Sequence, residues 1–392
     1  MSDESLLRVD DLTVEFHTDQ GVVRAVDGVS FDVARGETVC LVGESGSGKT
    51  VVGESITRLL REPPAEIRGG AIHFAGRDLL SLSNAQLGAI RGDRIAHVFQ
   101  NPQDSLNPVY TVGWQVIEAV QLHADVSKRE ARARAIDLLD RVGLPDPASR
   151  VDDYPHELSG GMKQRVAIAM ALAGDPDLLI ADEPTTALDV TIQSRVLGLL
   201  EEIQLEFGMG ILLVTHDLGV VADVADRVVV LYQGRVMERG DVYAIFDRPA
   251  HPYTRTLFES LPGRGASRAS TAGATDSALD PVDPGENDSN PIDSDSTEGS
   301  AGCRYRDRCP HAVEACRRGE QPPLYDISGS EDTAAPMGAA TAADDADRGH
   351  AASCVHFAPE GDPTVVYGSP VESDSAVDQS ADPQFEDGGD QQ

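Results

Sequence analysis

The sequence predicts an α/β fold with a largely parallel central sheet. Four short apolar runs are typical of buried strands, at 38–42, 178–181, 211–214 and 227–232. Helix-like stretches near 161–173 and 190–206 lie between these runs. Because parallel strands need a crossover connection, usually a helix, this alternation favours βαβ units around one sheet.

Two further parts are expected around this sheet. Residues 6–42 alternate apolar and polar positions, which predicts an antiparallel β subdomain, and strand signals return at 71–74 and 94–99. The stretch 113–143 contains no proline and has a helical pattern. We therefore expect a helical subdomain at about 103–158, inserted into the α/β domain that spans residues 1–262.

The charge of the chain excludes one class of function. The 392 residues include 66 Asp and Glu against 32 Lys and Arg, a net charge of −34. Such a surface repels phosphate backbones, so no nucleic-acid partner is expected. An acidic, almost lysine-free chain also fits a halophilic origin, because concentrated salt screens its self-repulsion. The sequence shows no signal peptide and no apolar run of the roughly 18 residues that a membrane helix needs, which predicts a soluble, cytoplasmic protein.

The last third of the chain has a different organisation. Residues 263–392 contain 26 acidic and 8 basic side chains, a net charge of −18. We expect an acidic disordered linker at 263–300 and an acidic disordered tail at 358–392. Between them, residues 301–357 form a small Cys-rich lobe with a low-complexity insertion at 328–349.

A phosphate-binding motif follows the first apolar strand. It has the pattern G-x4-G-K-T and consists of Gly43, Glu44, Ser45, Gly46, Ser47, Gly48, Lys49 and Thr50. Glycines in this pattern turn backbone N–H groups inward around the β-phosphate of a nucleotide, helped by the N-terminus of the next helix, expected from Lys49 to Leu60. Lys49 is expected to contact the β- and γ-phosphates of the nucleotide, and the Thr50 hydroxyl to coordinate Mg²⁺.

Two carboxylates end the apolar run at 178–181. Asp182 is placed to hold Mg²⁺, directly or through water. Glu183 is then placed to polarise a water that attacks the γ-phosphate. A solvated strand end would be the alternative for this pair alone, but the upstream phosphate-binding motif favours the catalytic interpretation.

A third motif, Leu158-Ser159-Gly160-Gly161-Met162, precedes a helix expected to begin near Lys163. Ser159 suits an N-cap, and the two glycines expose N–H groups to an anion. With all three motifs the chain resembles the ABC-type ATPases, whose signature is an LSGGQ-like stretch; here Met162 replaces the usual Gln. The resemblance implies that Ser159, Gly160 and Gly161 contact ATP on a second ATPase subunit, since two such domains face head to tail.

The same resemblance assigns four more positions. Gln100 resembles the glutamine that contacts Mg²⁺ or the lytic water, His216 the switch histidine at the γ-phosphate, and Asp189 the aspartate of the D-loop. Phe16 is the candidate for stacking on adenine, although it could equally belong to the core.

Narrower motifs resemble the ATPases of dipeptide, oligopeptide and nickel importers. These motifs are QNPQDSLNP from Gln100, LSGGMKQR from Leu158, HPYT from His251 and the cysteine-containing stretches near Cys303 and Cys309. The resemblance implies an importer subunit at the cytoplasmic face of the membrane, bound to two transmembrane permeases and served indirectly by an extracellular solute-binding protein. Peptide uptake is the first expectation; uptake of nickel or a sugar, or a non-transport role as a soluble ABC ATPase, is the alternative.

Four cysteines follow the ATPase part in the pattern C-x5-C-x6-C-x37-C: Cys303, Cys309, Cys316 and Cys354. Disulfides are not expected in a reducing cytosol. Four thiolates can enclose Zn²⁺ or a [4Fe–4S] cluster. Structural zinc sites usually use shorter spacings, so loops of five and six residues favour the cluster, as does the resemblance, which includes iron–sulfur proteins. Zinc and free thiols stay open as alternatives.

Overall fold

The computed structural model describes residues 5–100, 105–185, 190–259, 301–328 and 349–367. Its strands in chain order are β1 (Leu7–Thr18), β2 (Gly21–Val33), β3 (Thr38–Val42), β4 (Ala65–Phe74), β5 (Arg77–Asp78), β6 (Ile95–Val98), β7 (Leu178–Asp182), β8 (Gly210–Thr215), β9 (Arg227–Tyr232), β10 (Arg235–Asp241), β11 (Tyr325–Asp326) and β12 (Ala351–Ala352). Its α-helices are α1 (Lys49–Ile56), α2 (Asn84–Gly88), α3 (Val112–His123), α4 (Lys128–Arg141), α5 (Pro147–Arg150), α6 (Gly160–Ala171), α7 (Val190–Phe207), α8 (Leu218–Val224), α9 (Val242–Asp247), α10 (Pro252–Glu259) and α11 (Thr364–Tyr367).

These strands form two sheets. One is antiparallel, in the order β2-β1-β4-β5, and the other has the order β11-β12-β10-β9-β3-β8-β7-β6. In the second sheet the five strands from β9 to β6 are parallel, whereas β10, β12 and β11 continue it in antiparallel pairs. The predicted parallel core sheet and antiparallel β subdomain are both present.

The central sheet separates two apolar clusters. Strand β3 shows this directly: Cys40 and Val42 pack into one cluster, and Val39 and Leu41 pack into the other. Successive strand residues point to opposite faces, so a strand covered on both faces is apolar throughout. The first cluster includes residues of α3, α4 and α6, which pack together.

Some predicted boundaries differ from the structure. Helix α1 ends at Ile56, short of the expected Leu60, because Arg58 adopts φ 51° and turns the chain. Helix α6 begins at Gly160, before the expected start near Lys163, because Ser159 already caps it. The helical region therefore extends beyond residue 158 to the end of α6.

The structure also bears on the last third of the chain. Strands β11 and β12 join the edge of the central sheet, so the chain just before Cys354 continues that sheet; a separate small lobe stays a prediction. The tail was expected from 358, but helix α11 lies within it, because Val366 is buried and the Tyr367 ring packs on Phe357. The predicted linker at 263–300, residues 329–348 of the insertion and the tail after 367 lie outside the described residues.

Within the described ranges, no helix is long and apolar enough to cross a membrane.

Candidate nucleotide site

The phosphate-binding loop (residues 43–50) connects β3, in the middle of the central sheet, to α1. A Cβ atom on Gly43 would lie 2.1 Å from the carbonyl oxygen of Leu231, and one on Gly48 would lie 2.5 Å from that of Ala25. Both glycines have positive φ angles, 155° and 100°. A side chain at either position would force the loop away from its neighbouring strands, which explains why this turn requires glycine.

Lys49 lies under this loop and is only 6% exposed. Its Nζ donates hydrogen bonds to the carbonyl oxygens of Gly43 and Glu44, both at 2.9 Å. Burial lowers the pKa of Lys49, while the nearby carboxylates of Glu183, Asp182 and Glu44 act in the opposite direction. The ammonium group is therefore held where the loop would surround a phosphate.

The residues expected to hold Mg²⁺ lie together. Burial raises the pKa of Asp182, and a hydrogen bond with the Thr50 side chain partly opposes that shift. Asp182 Oδ1 and Ser47 Oγ are buried without a hydrogen-bond partner among the described residues. Such unsatisfied oxygens are costly unless a ligand binds them. Oxygen donors beside a phosphate cradle are the set that Mg²⁺ prefers, so these residues fit the ion.

The Glu183 side chain contacts residues that follow the two neighbouring strands of the central sheet, at the carboxyl ends of those strands. It follows β7 directly, while Gln100 follows β6 and His216 follows β8. Gln100 Nε2 donates to Glu183 Oε2 at 2.9 Å, and His216 Nδ1 lies 2.9 Å from Glu183 Oε1. The Glu183 backbone has φ 46°, an uncommon conformation for a residue with a side chain, and such conformations cluster at functional sites. Parallel α/β sheets bind ligands at the carboxyl ends of their strands, where these three residues lie.

The signature segment (residues 158–162) caps helix α6. Ser159 Oγ accepts a hydrogen bond from the Met162 N–H at 3.3 Å, as an N-cap does. Ser159 and Gly160 are exposed and Gly161 is half-buried, so the start of α6 is open to a second molecule.

Phe16 and Asp189 complete the expected residues. Phe16 is half-buried on β1, opposite Val23 of β2, and packs against the core cluster between the two sheets. Strand β2 also provides the Ala25 carbonyl oxygen that lies against Gly48, so Phe16 lies on the strand that pairs with the neighbour of the phosphate-binding loop. Asp189 lies outside the described residues.

Two residues at this site were not predicted from the sequence. Tyr253 Oη accepts a hydrogen bond from the Glu44 N–H at 2.9 Å, and Arg308 Nη1 lies 2.9 Å from Glu44 Oε2. These partners are separated from Glu44 by 209 and 264 residues along the chain. No local pattern could have indicated either contact.

The four C-terminal cysteines come near one another. The Cys303 N–H donates to the Cys316 carbonyl oxygen at 2.9 Å. Burial raises the pKa of Cys354 to about 12, and the other three thiols add smaller increases. Over the described ranges, however, no three His, Cys, Asp or Glu side chains form a group that could hold a metal ion.

Comparison with known families agrees with this geometry. A family model described as ABC transporter matches residues 26–186, and one described as oligopeptide/dipeptide transporter, C-terminal region, matches residues 237–316. The chain belongs to the ABC transporter family of ATP-binding proteins and is an ATPase. Within that family it belongs with the ATP-binding proteins of oligopeptide and dipeptide transporters.

Individual relatives support the same assignment over most of the chain. A probable peptide ABC transporter ATP-binding protein of Sinorhizobium fredii is 47% identical over 82% of this chain and 92% of the relative. The dipeptide transport ATP-binding protein DppD of Escherichia coli is 46% identical over 82% of this chain and 93% of the relative. The oligopeptide transport ATP-binding protein OppD of Bacillus subtilis is 51% identical over 66% of this chain and 72% of the relative.

Solved structures share the fold of the ATPase part. A dimeric post-hydrolysis structure of the ATP-binding cassette MJ0796, bound to ADP and Pi, has a TM-score of 0.54 and 29% identity, covering 60% of this chain and 98% of that one. The structure of cbiO1 from Clostridium perfringens, part of an ABC transporter complex, has a TM-score of 0.55 and 29% identity, covering 67% of this chain and 98% of that one.

Proposed function

We propose that this chain is the ATP-hydrolysing subunit of an importer for dipeptides or oligopeptides, and that it works at the cytoplasmic face of the membrane. The observation that carries the proposal is Glu183, held between Gln100 and His216 beside the phosphate-binding loop. The peptide substrate is inferred from relatives that are named for peptide transport. The proposed division is an ATPase domain over residues 1–262 and a Cys-rich region over residues 301–357.

The residues of the site divide the work of hydrolysis. The loop amides and Lys49 bind the β- and γ-phosphates of ATP, and Phe16 stacks on the adenine. Thr50 and Asp182 would hold Mg²⁺, with Gln100 beside them; the ion supplies positive charge that offsets charge developing on the phosphates. Glu183 accepts a proton from the attacking water, and His216 orients the carboxylate through the contact at its Oε1.

A second ATPase subunit is needed to complete this site. The signature segment presents Ser159 and Gly160 to solvent at the start of α6, where N–H groups can bind the γ-phosphate of a nucleotide held by another subunit. The relative MJ0796 is described as a dimer. We propose a head-to-tail dimer in which Asp189 lies near the interface.

Exposed aromatic side chains are candidates for contact with the permeases. Phe99, immediately before it, is 46% exposed, and Tyr110 and Trp114 are 42% and 43% exposed. The rings of Tyr110 and Trp114 stack with their centroids 4.0 Å apart. Exposed aromatic side chains are enriched in protein interfaces, and contact at Phe99 would reach Glu183 through the adjacent Gln100.

The composite site predicts that activity depends on assembly. We expect the purified chain to hydrolyse ATP slowly when dilute and at least about tenfold faster with a partner ATPase and two permeases, since losing one charge-stabilising donor costs about 10²–10³ in rate. The measurement is phosphate release per chain across a dilution series, with monomer content checked by light scattering. Full activity from monomeric protein would contradict the composite site.

We further propose that Cys303, Cys309, Cys316 and Cys354 bind a [4Fe–4S] cluster, with Zn²⁺ as the alternative. The Cys303, Cys309 and Cys316 thiols each raise the pKa of the nearby Cys354 thiol, which supports a shared site. A single Zn²⁺ requires all four sulfurs within about 2.3 Å of one point, whereas a cluster holds its ligands around a larger body. The loops of five and six residues between the first three cysteines favour the larger cluster over a single ion.

Metal analysis tests this cofactor. We expect about four iron and four sulfide per chain after anaerobic purification, with visible charge-transfer absorbance. Cys309→Ser should lose most of the iron, whereas Cys40→Ala should keep it, because Cys40 lies on β3 and is buried in the apolar core. About one zinc per chain without sulfide would show that the cysteines bind zinc and not a cluster. Absence of any metal would exclude both assignments.

A net charge of −34 also supports a proposed adaptation to concentrated salt.

A further inference from the structure

Glu44, the second residue of the phosphate-binding loop, is held at three of its polar groups. Its N–H donates to Tyr253 Oη, its carbonyl oxygen accepts from Lys49 Nζ, and its carboxylate pairs with Arg308, each at 2.9 Å. Only Lys49 belongs to the loop itself. The conformation of the loop therefore depends on two residues that lie far along the chain, beyond the strands that form the ATP site.

Tyr253 is a rigid support for this contact. It is 1% exposed, at the start of α10, and its ring packs on Tyr232 and Tyr305 with centroid distances of 4.6 and 5.4 Å. Tyr305 Oη in turn donates to Thr256 Oγ1 at 3.1 Å. A tyrosine ring fixed on several sides places its hydroxyl oxygen at one position relative to the Glu44 N–H.

Arg308 belongs to the segment that carries the cysteines. It lies directly before Cys309, in the loop from Cys303 to Cys309 that also contains Tyr305. The carbon of its guanidinium group lies 5.8 Å from the ring centroid of Tyr305. The Nη1 atom of the same group pairs with the Glu44 carboxylate. The cysteine loop and the phosphate-binding loop are thus joined by one side chain.

We infer that Tyr253 and Arg308 are positioning residues that hold the phosphate-binding loop ready for ATP, so that the cysteine-bearing segment sets nucleotide affinity through Glu44. A loop already ordered loses less conformational entropy when a nucleotide binds. Arg308 also neutralises a carboxylate that would otherwise repel the phosphates. The inference rests on the ATP site and is independent of the transported solute and of what the cysteines bind.

If the Arg308–Glu44 ion pair served only to stabilise the fold, its removal would lower the thermal stability of the protein. The side chains of Arg308 and Glu44 are 53% and 41% exposed, and exposed ion pairs contribute little to folding stability. Removing the pair should therefore leave thermal unfolding nearly unchanged. A loss of ATP affinity without a loss of stability identifies positioning.

The test measures binding of a non-hydrolysable ATP analogue and the KM and kcat of the full chain assembled with its partners. For Arg308→Gln and for Tyr253→Phe we expect Kd and KM to rise about 3–10-fold, the effect of losing one hydrogen bond, with kcat changed less than about twofold. Arg308→Lys keeps the positive charge but loses the planar guanidinium group, so its Kd and KM should lie between those of the wild type and Arg308→Gln. Arg318→Gln is the matched control, because Arg318 is exposed and pairs with Glu314 on the surface.

A double-mutant cycle with Glu44→Gln makes the test specific. In that background Arg308→Gln should add little further change, because its partner carboxylate is gone. An equal loss of affinity in both backgrounds, or unchanged affinity in Arg308→Gln and Tyr253→Phe while the wild type binds the analogue, would overturn the inference. A wild-type chain that did not bind the analogue would instead contradict the ATP site itself.

Discussion

Replacing Glu183 by glutamine should lower ATP turnover by about 10²–10⁴-fold, the usual contribution of a general base, while ATP still binds. The glutamine side chain is nearly isosteric and can still accept from Gln100 Nε2, so the geometry of the site should persist. Lys49 and Thr50 are untouched and continue to hold the nucleotide. The measurement is single-turnover phosphate release together with the Kd for ATP.

The matched control for this change is Glu202→Gln on the exposed face of α7, which should hydrolyse ATP at the wild-type rate. Unchanged hydrolysis in Glu183→Gln would mean that another group takes the proton. Lost ATP binding would mean that Glu183 holds the nucleotide and does not activate water.

Replacing Lys49 by alanine should weaken ATP binding itself. A hydrogen bond to a charged group contributes about 1.5–3 kcal/mol, which corresponds to a roughly 10–150-fold higher Kd. The effect should lie toward the upper end, because Lys49 is the ammonium group that opposes the carboxylates of Asp182, Glu183 and Glu44 next to the phosphates. The Kd for ATP, measured by calorimetry with excess Mg²⁺, checks the expectation.

Lys128→Ala provides the control for Lys49→Ala, since Lys128 is exposed at the first position of α4. It should bind ATP as the wild type does. If Lys49→Ala kept wild-type affinity and lost only turnover, Lys49 would act in the transition state and not in binding.

The sequence predicted those parts of the site that local patterns specify. The loop at 43–50 follows from glycine spacing between a strand and a helix, and Asp182 and Glu183 follow from their place at the end of an apolar strand. Gln100 and His216 required the family resemblance, because a single polar residue after a strand carries little information alone. The structure then places both within hydrogen-bond distance of Glu183.

Long-range contacts were beyond such reasoning. The contacts of Tyr253 and Arg308 with Glu44 depend on how α10 packs on β10 and how the Tyr305 ring of the cysteine loop packs on Tyr232 and Tyr253, and no local propensity encodes that packing. The helix at Thr364–Tyr367 is likewise held by tertiary packing of Val366, whereas the early end of α1 at Ile56 follows from the local turn at Arg58.

Peptide uptake driven by ATP tests the central claim most directly. The full chain, the proposed partner ATPase and the two proposed permeases are placed in vesicles with ATP inside, on the side of the ATPase, and a labelled dipeptide with the proposed solute-binding protein outside. The account predicts that the label accumulates inside only with ATP, and that accumulation falls to background with Glu183→Gln. Hydrolysis at the full rate without accumulation of peptide, or equal accumulation with Glu183→Gln, would contradict it.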